Sequence, residues 1–150
     1  MRVIYRVLAL ALALGVVVQA AAIAFAWFQV LDDTDAGGVF DKNTAENAGH
    51  TLHSVVGEMI MPTIAIVLLL LSFFAKIPGG VKWAAITLGV TWLQVLLAYG
   101  PPVAGAVHGV NAFALAGVAS IAARKARLAG SAGTPEQPTG PADTAPAAGV

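Results

Sequence analysis

Four apolar runs separated by short polar or glycine- and proline-containing connections dominate the chain. They cover residues 7–30, 50–75, 83–99 and 103–123. A helix needs about 20 apolar residues, within a range of roughly 17–25, to cross the hydrocarbon core of a bilayer. Short connections make consecutive helices antiparallel. The pattern therefore predicts an all-α fold, an integral membrane four-helix bundle over residues 1–127, with the lipid bilayer as its surroundings.

The two ends of the chain need separate interpretation. Arg2 and Arg6 precede the first run and "AFA" at residues 24–26 is typical of a signal cleavage site, but a signal peptide has only about 7–15 apolar residues. We therefore expect the first run to be retained as a helix. Residues 128–150 are rich in Ala, Gly, Pro and Thr and have no periodic apolar face. We predict a disordered cytoplasmic tail there.

The composition supports a membrane protein and excludes several classes of function. The chain has 150 residues, of which 58% are hydrophobic and 11% charged, and its mean hydropathy is +0.81. A soluble domain has about 25% charged residues. The formal net charge is zero, which does not favour nucleic-acid binding, and the absence of cysteine excludes disulfides and thiolate metal sites. No catalytic serine or lysine arrangement and no phosphate-binding loop is present.

The basic residues predict the orientation of the bundle. Seven of the eight lie on one side of the four runs: Arg2, Arg6, Lys76, Lys82, Arg124, Lys125 and Arg127. Only Lys42 lies in the loop 31–49 on the other side, which also carries five acidic residues. By the positive-inside rule we expect a multi-pass protein of the cell membrane with both termini in the cytoplasm and the acidic loop outside.

All three histidines are predicted at similar depth near the outer face. His50 and His53 lie in the first turns of the second run, and His108 lies less than two turns into the fourth. At a rise of 1.5 Å per residue, His53 and His108 are roughly 5–8 Å along their helices. Ionisable residues in a membrane helix are costly and mark functional sites. We therefore expect these two side chains to face one point inside the bundle.

The residues around the two histidines favour a flat ligand. Gly57 is four residues after His53 and shares its face of the helix, while Gly109 directly follows His108. Glycines there leave a gap in which a porphyrin plane can stand between helices. Asn111 and Ser54 are placed to orient a ring nitrogen, and Asn111 is also placed to contact a propionate.

The motifs "HSVVG" and "HGVNAFALAG" resemble patterns in the helices of four-helix b-type cytochromes and haem-synthase-like membrane proteins. Residues 7–127 are also similar to a family of small uncharacterised four-helix membrane proteins of high-GC bacteria. In b-type cytochromes, histidines on different helices ligate one haem iron. The resemblance implies a haem b held by His53 and His108 and a role in electron transfer. Two-haem members have two histidines near each face, so this chain supports one haem at most.

Other interpretations stay open from the sequence alone. The depth of the site implies a redox partner protein or a quinone on the outer side. His50 and His53, at i and i+3, can chelate a Zn or Cu ion together with His108. The faces "LALALALG" and "FALAGVAS" are typical of helices that pack closely. They favour a non-catalytic subunit or scaffold, or a homo-oligomer, in which the histidines only hydrogen-bond to neighbouring helices.

Glu58 is the remaining ionisable residue of the second run. It lies about 140° around the helix from His53 and is poorly placed to be a ligand of the same metal. We expect a structural side chain that is protonated and hydrogen-bonded, with Gln94 and Asn111 as the candidate partners, and a proton-relay role is the alternative. Pro62, four residues further on, is expected to kink the helix.

Overall fold

The computed structural model describes residues 1–131, and these residues are helical apart from short loops. The helices are α1 (Arg2–Asp35), α2 (Ala48–Val55), a π-helical turn (Val56–Ile60), α3 (Met61–Ser72), α4 (Gly80–Ala98) and α5 (Pro102–Ser131). Because α2, the π turn and α3 follow one another without a break, they form a single rod. The predicted all-α bundle of four rods is confirmed, and the described residues contain no strand.

Two of the rods are longer than the apolar runs that predict them. α1 continues on both sides of residues 7–30, and α5 continues past residue 123 to Ser131. The length of an apolar run indicates only the part of a helix that lies in lipid. Ala, Leu, Lys and Arg have high helix propensity, so the helix can continue beyond the apolar run. α5 therefore includes the first residues of the predicted tail, 128–150, and the rest of that tail lies outside the described residues.

The outer surface of the bundle is apolar along most of its length. All four rods are long and apolar enough to cross a membrane. Large side chains such as Phe28, Leu96 and Phe113 are 68% to 80% exposed, which in water would be a large unfavourable surface. The structure is thus that of a multi-pass membrane protein whose outward side chains contact lipid.

The rods pack in a ring, and this order decides which residues meet at the centre. α1 packs against α5 and against the α2–α3 rod, and α4 packs against α5 and α3. The α2–α3 rod and α5 therefore stand at opposite corners of the bundle. Small buried residues such as Ala9, Ala65 and Ala119 allow close approach of the backbones.

The two ends of the bundle differ in packing. We call the end that carries Arg2 and Ser131 the termini end, and the opposite end, with loop 36–47, the histidine end. Near the termini end, the buried Tyr5 hydroxyl donates to the Gly80 carbonyl at 2.9 Å, and Arg2 donates to the Ala129 carbonyl at 2.9 Å. Towards the histidine end, a cavity opens between the rods.

Candidate functional site

The start of α2 is fixed against α1 by its first residues. The Asn47 side chain accepts from the His50 backbone N–H at 3.0 Å and donates to the Ala26 carbonyl at 2.9 Å. Gly49 lies directly on α1, because a Cβ atom there would be 2.7 Å from the Ala22 carbonyl oxygen and 2.8 Å from the Ala26 nitrogen. The absence of a side chain at Gly49 thus lets α2 lie close to α1, so that the next turn of α2 also contacts α1.

His53 is held by two hydrogen bonds to a single residue of α1. Its Nδ1 is 3.1 Å from the Gln19 backbone carbonyl oxygen, and the Gln19 side-chain Nε2 donates to the His53 carbonyl at 3.0 Å. Because a carbonyl oxygen only accepts, the hydrogen of the neutral imidazole must be on Nδ1. Nε2 of His53 is therefore left with a free lone pair.

His108 is held in the same way from α4. Its Nδ1 is 2.9 Å from the Gln94 carbonyl oxygen, so Nε2 again carries the lone pair. The Gln94 side-chain Oε1 accepts from Asn111 Nδ2 at 2.7 Å, and the same amide donates to the Val90 carbonyl at 3.1 Å. Each hairpin of the bundle thus holds one histidine against a glutamine backbone carbonyl on its first helix.

The two imidazole rings face each other from opposite corners of the bundle. Their centroids are 6.2 Å apart and their planes are inclined at 54°. Bonds of about 2.0–2.1 Å from a metal to one nitrogen of each ring place the centroids roughly 6 Å apart. The spacing of His53 and His108 matches that of two ligands on opposite sides of one metal atom.

Both rings border one cavity of about 110 Å³, to which all four rods contribute. The polar groups around it present lone pairs. Ser54 and Thr91 donate their hydroxyl hydrogens to the Thr51 and Thr87 carbonyls, and the buried Oε1 of Gln19 has no partner among the described residues. Because both Nδ1 hydrogens are also donated to carbonyls, the polar residues that border the cavity offer acceptors, which suit a Lewis acid or a hydrogen-bond donor.

The other residues that the sequence singles out around the histidines fall in different places. Gly57 and Ser54 border the cavity. Gly109 is exposed, and a Cβ there would meet nothing within 4 Å, so the structure places it on the outer surface. Asn111 touches the Gln94 side chain and the α4 backbone and makes no bond to an imidazole ring. The acceptors of the two Nδ1 hydrogens are main-chain groups, which the sequence does not reveal.

His50 does not join the other two histidines. Its ring stacks on Phe40 with centroids 6.3 Å apart and meets Trp27 edge-on at 5.7 Å. Within residues 1–131, no group of three or more His, Asp or Glu side chains is placed to hold a metal ion. The structure therefore does not form the three-histidine arrangement considered for zinc or copper.

Glu58 lies in the π turn, at the edge of the cavity. It does not bond to Gln94 or Asn111, its expected partners, which bond to each other. The expected distortion before Pro62 takes the form of the π turn, in which the Met61 N–H bonds to the Val56 carbonyl. This widened turn places Gly57 and Glu58 next to the cavity.

Comparison with known proteins adds a partial family match. Residues 37–100 match the model of DUF6220, a family of unknown function. The matched segment begins in the loop before α2 and extends just past α4, so it includes His53 and Gln94 but neither Gln19 nor His108. No curated protein and no solved structure matches the chain.

Proposed function

We propose that the protein is a membrane-embedded, single-haem b-type cytochrome that transfers electrons, with His53 and His108 as the axial ligands of the iron. One observation carries the proposal. Two imidazoles from opposite corners of the bundle have both Nδ1 hydrogens committed to backbone carbonyls, and their centroids are 6.2 Å apart across a shared cavity. Metal-ligating histidines are oriented by this type of bond at the second ring nitrogen.

The number of available ligands favours haem over a bare ion. Zinc sites in proteins have four ligands, or three protein ligands and a water. His53 and His108 have no third His, Asp or Glu near enough to complete such a site within residues 1–131. A haem brings its own equatorial nitrogens and needs only axial ligands from the chain. Two histidines across a cavity therefore suit a haem best.

The size and lining of the cavity define where the haem would sit. Its volume of about 110 Å³ is below the roughly 300–1,000 Å³ of usual ligand pockets. The residues that border the cavity would therefore have to move apart for His53 and His108 to hold a haem. Gly57, Ala98 and Ala112 border the cavity and present little side chain there. Val16, Met61 and Leu115 would keep water from the iron.

The bound haem would supply a reversible one-electron change at its iron. The chain would control that change through ligand identity, burial and hydrogen bonds. The Gln19 and Gln94 carbonyls accept from the imidazoles and make them better electron donors, which stabilises the ferric state. If the termini are cytoplasmic, as the basic residues predict, the site is near the outer face of the cell membrane and exchanges electrons with a redox partner protein or a quinone there.

The absorbance spectrum of the purified protein tests the proposal. We expect protein from haem-replete cells, purified in detergent, to show a Soret band that is lost in His53→Ala and in His108→Ala. His50→Ala is the matched control and keeps the band, because His50 packs on Trp27 and Phe40. A folded wild-type protein without colour, or a band that survives His108→Ala, would contradict the proposal.

The surface of α5 supports a second candidate, a non-catalytic subunit or scaffold. Gly105 and Gly109 are exposed one turn apart, and a Cβ at either would meet nothing within 4 Å. Small residues at this spacing let another membrane helix, or a second copy of the chain, approach closely. Chemical cross-links, or disulfides between cysteines introduced elsewhere on the exposed face of α5, that disappear in Gly105→Leu and Gly109→Leu, in a colourless protein, would favour this function.

A further inference from the structure

Gln19 is the most closely connected neighbour of the His53 ligand. Its backbone carbonyl accepts from His53 Nδ1 and its side-chain amide donates to the His53 carbonyl. The ring and the backbone of the same histidine are thus tied to one residue of α1. Rotation of the ring, or a shift of α2 along α1, would break at least one of these bonds.

The amide of Gln19 also reaches the cavity itself. Its Nε2 is committed to the His53 carbonyl, and its Oε1 is buried with no partner among the described residues. Gly57 makes room for it, because a Cβ at residue 57 would be only 3.0 Å from Gln19 Nε2. Gln19 borders the cavity, and the negative end of its amide dipole is buried without a partner in the described part of the chain.

The second ligand has no equivalent group. On the His108 side, Gln94 Oε1 accepts from Asn111, so its partial negative charge is already compensated. The two backbone carbonyls match, but of the two glutamine side chains beside the histidines only that of Gln19 has an Oε1 without a partner in residues 1–131. This asymmetry points to Gln19 as the residue that adjusts the centre.

We propose that Gln19 is a positioning residue of the redox centre, which fixes the His53 ring and lowers the reduction potential of the iron. The inference rests on the proposed function. A partial negative charge near the iron stabilises the ferric state, which carries one more positive charge than the ferrous state. A firm Nδ1–H bond acts in the same direction, because it increases the basicity of the ligand.

The test compares two glutamines of α1. Gln19→Met keeps the length of the side chain and removes the amide, and Gln29→Met is the matched control. Gln29 also has a buried Oε1 with no partner in the described part of the chain, but it lies ten residues, ~15 Å, further along the helix. We expect Gln19→Met to favour the ferrous form about three- to tenfold, up to ~59 mV in a one-electron titration, and Gln29→Met to leave the potential unchanged.

A second variant tests the same inference without removing the glutamine. Gly57→Ala leaves Gln19 in the sequence but displaces its amide, since the new Cβ would crowd Nε2. The potential should move in the same direction as in Gln19→Met, and free apoprotein carrying either change should bind added haem less tightly than wild type. If the wild type shows a Soret band while both variants keep its potential and haem affinity, the inference is overturned and the proposed function stands. If the wild type binds no haem, the proposed function fails first.

Discussion

At the scale of single residues, Gly49 decides how closely α2 lies on α1. A Cβ there would meet backbone atoms of Ala22 and Ala26 within 2.9 Å, and backbone cannot move aside as a flexible side chain can. We expect Gly49→Ala to lower the free energy of unfolding by about 1–3 kcal/mol. It should also weaken the Soret band, because α2 carries His53. Unfolding in detergent, followed by circular dichroism, measures the change.

Gly105→Ala is the matched control for this substitution. Gly105 is also near the start of a helix, but a Cβ there would meet nothing within 4 Å. Alanine has a higher helix propensity than glycine, so the variant should be as stable as wild type or slightly more stable. Equal stability of the two alanine variants would show that α1 and α2 are not in the close contact described here.

A substitution of Asn111 distinguishes a structural role of this residue from a role in orienting a histidine ring. Asn111 is 9% exposed and bonds to Gln94 Oε1 and to the Val90 carbonyl. We expect Asn111→Leu to reduce stability by about 0.6–1.7 kcal/mol, the range measured for hydrogen bonds between membrane helices. The Soret band should persist, because His108 bonds to the Gln94 main chain. Loss of the band at unchanged stability would restore the direct role that the sequence predicts for Asn111.

The sequence reveals part of this detail and conceals the rest. The depth of His53 and His108 follows from counting residues along helices of known direction. The Nδ1 acceptors, by contrast, are the main-chain carbonyls of Gln19 and Gln94, and every residue has such a carbonyl. The outward position of Gly109 is hidden for another reason. Both the lipid-facing side and the inward side of α5 are apolar. The hydrophobic pattern therefore does not predict which side of α5 faces the bundle interior.

At the scale of helices, the π turn between α2 and α3 sets the direction of His53. The turn holds one residue more than an α-helical turn, and the Met61 N–H bonds to the Val56 carbonyl. Pro62 has no N–H to donate, so the regular bond to the Glu58 carbonyl is not available. A proline predicts some distortion, but the sequence does not show that the distortion takes the π form.

Deletion of one residue from the π turn tests this description. We expect deletion of Met59, which is 65% exposed, to restore a regular helix and turn α2 by about 100° relative to α3. His53 would then no longer face His108, and the Soret band should be lost while the helix content is kept. Met59→Ala is the control and should keep the band. A deletion variant with an unchanged spectrum would show that the turn does not orient the ligand.

At the scale of the whole molecule, stability and the candidate site occupy different halves. Tyr5, Leu12 and Leu68 are buried towards the termini end, whereas the other half contains the cavity and the few polar side chains that border it. Well-packed rods at one end can hold the histidines at a fixed separation at the other. Substitutions in the termini half should therefore change stability more than spectrum.

The orientation of the bundle in the membrane decides on which side the proposed haem site lies. Seven of the eight basic residues lie at the termini end, and the last turn of α1 together with loop 36–47 carries five of the eight acidic residues. From the positive-inside rule we expect the histidine end to lie outside. Since the chain has no cysteine, single-cysteine variants can test this directly with a thiol reagent that does not cross membranes.

We expect Asn43→Cys, in the loop of the histidine end, to be labelled in intact cells. Ser131→Cys, at the other end, should be labelled only after the cells are permeabilised, and it serves as the control for membrane integrity. The reverse pattern would place the histidines near the cytoplasm. A partner on the outer side would then be wrong, while the binding of one haem by His53 and His108, which depends only on the inside of the bundle, would be unaffected.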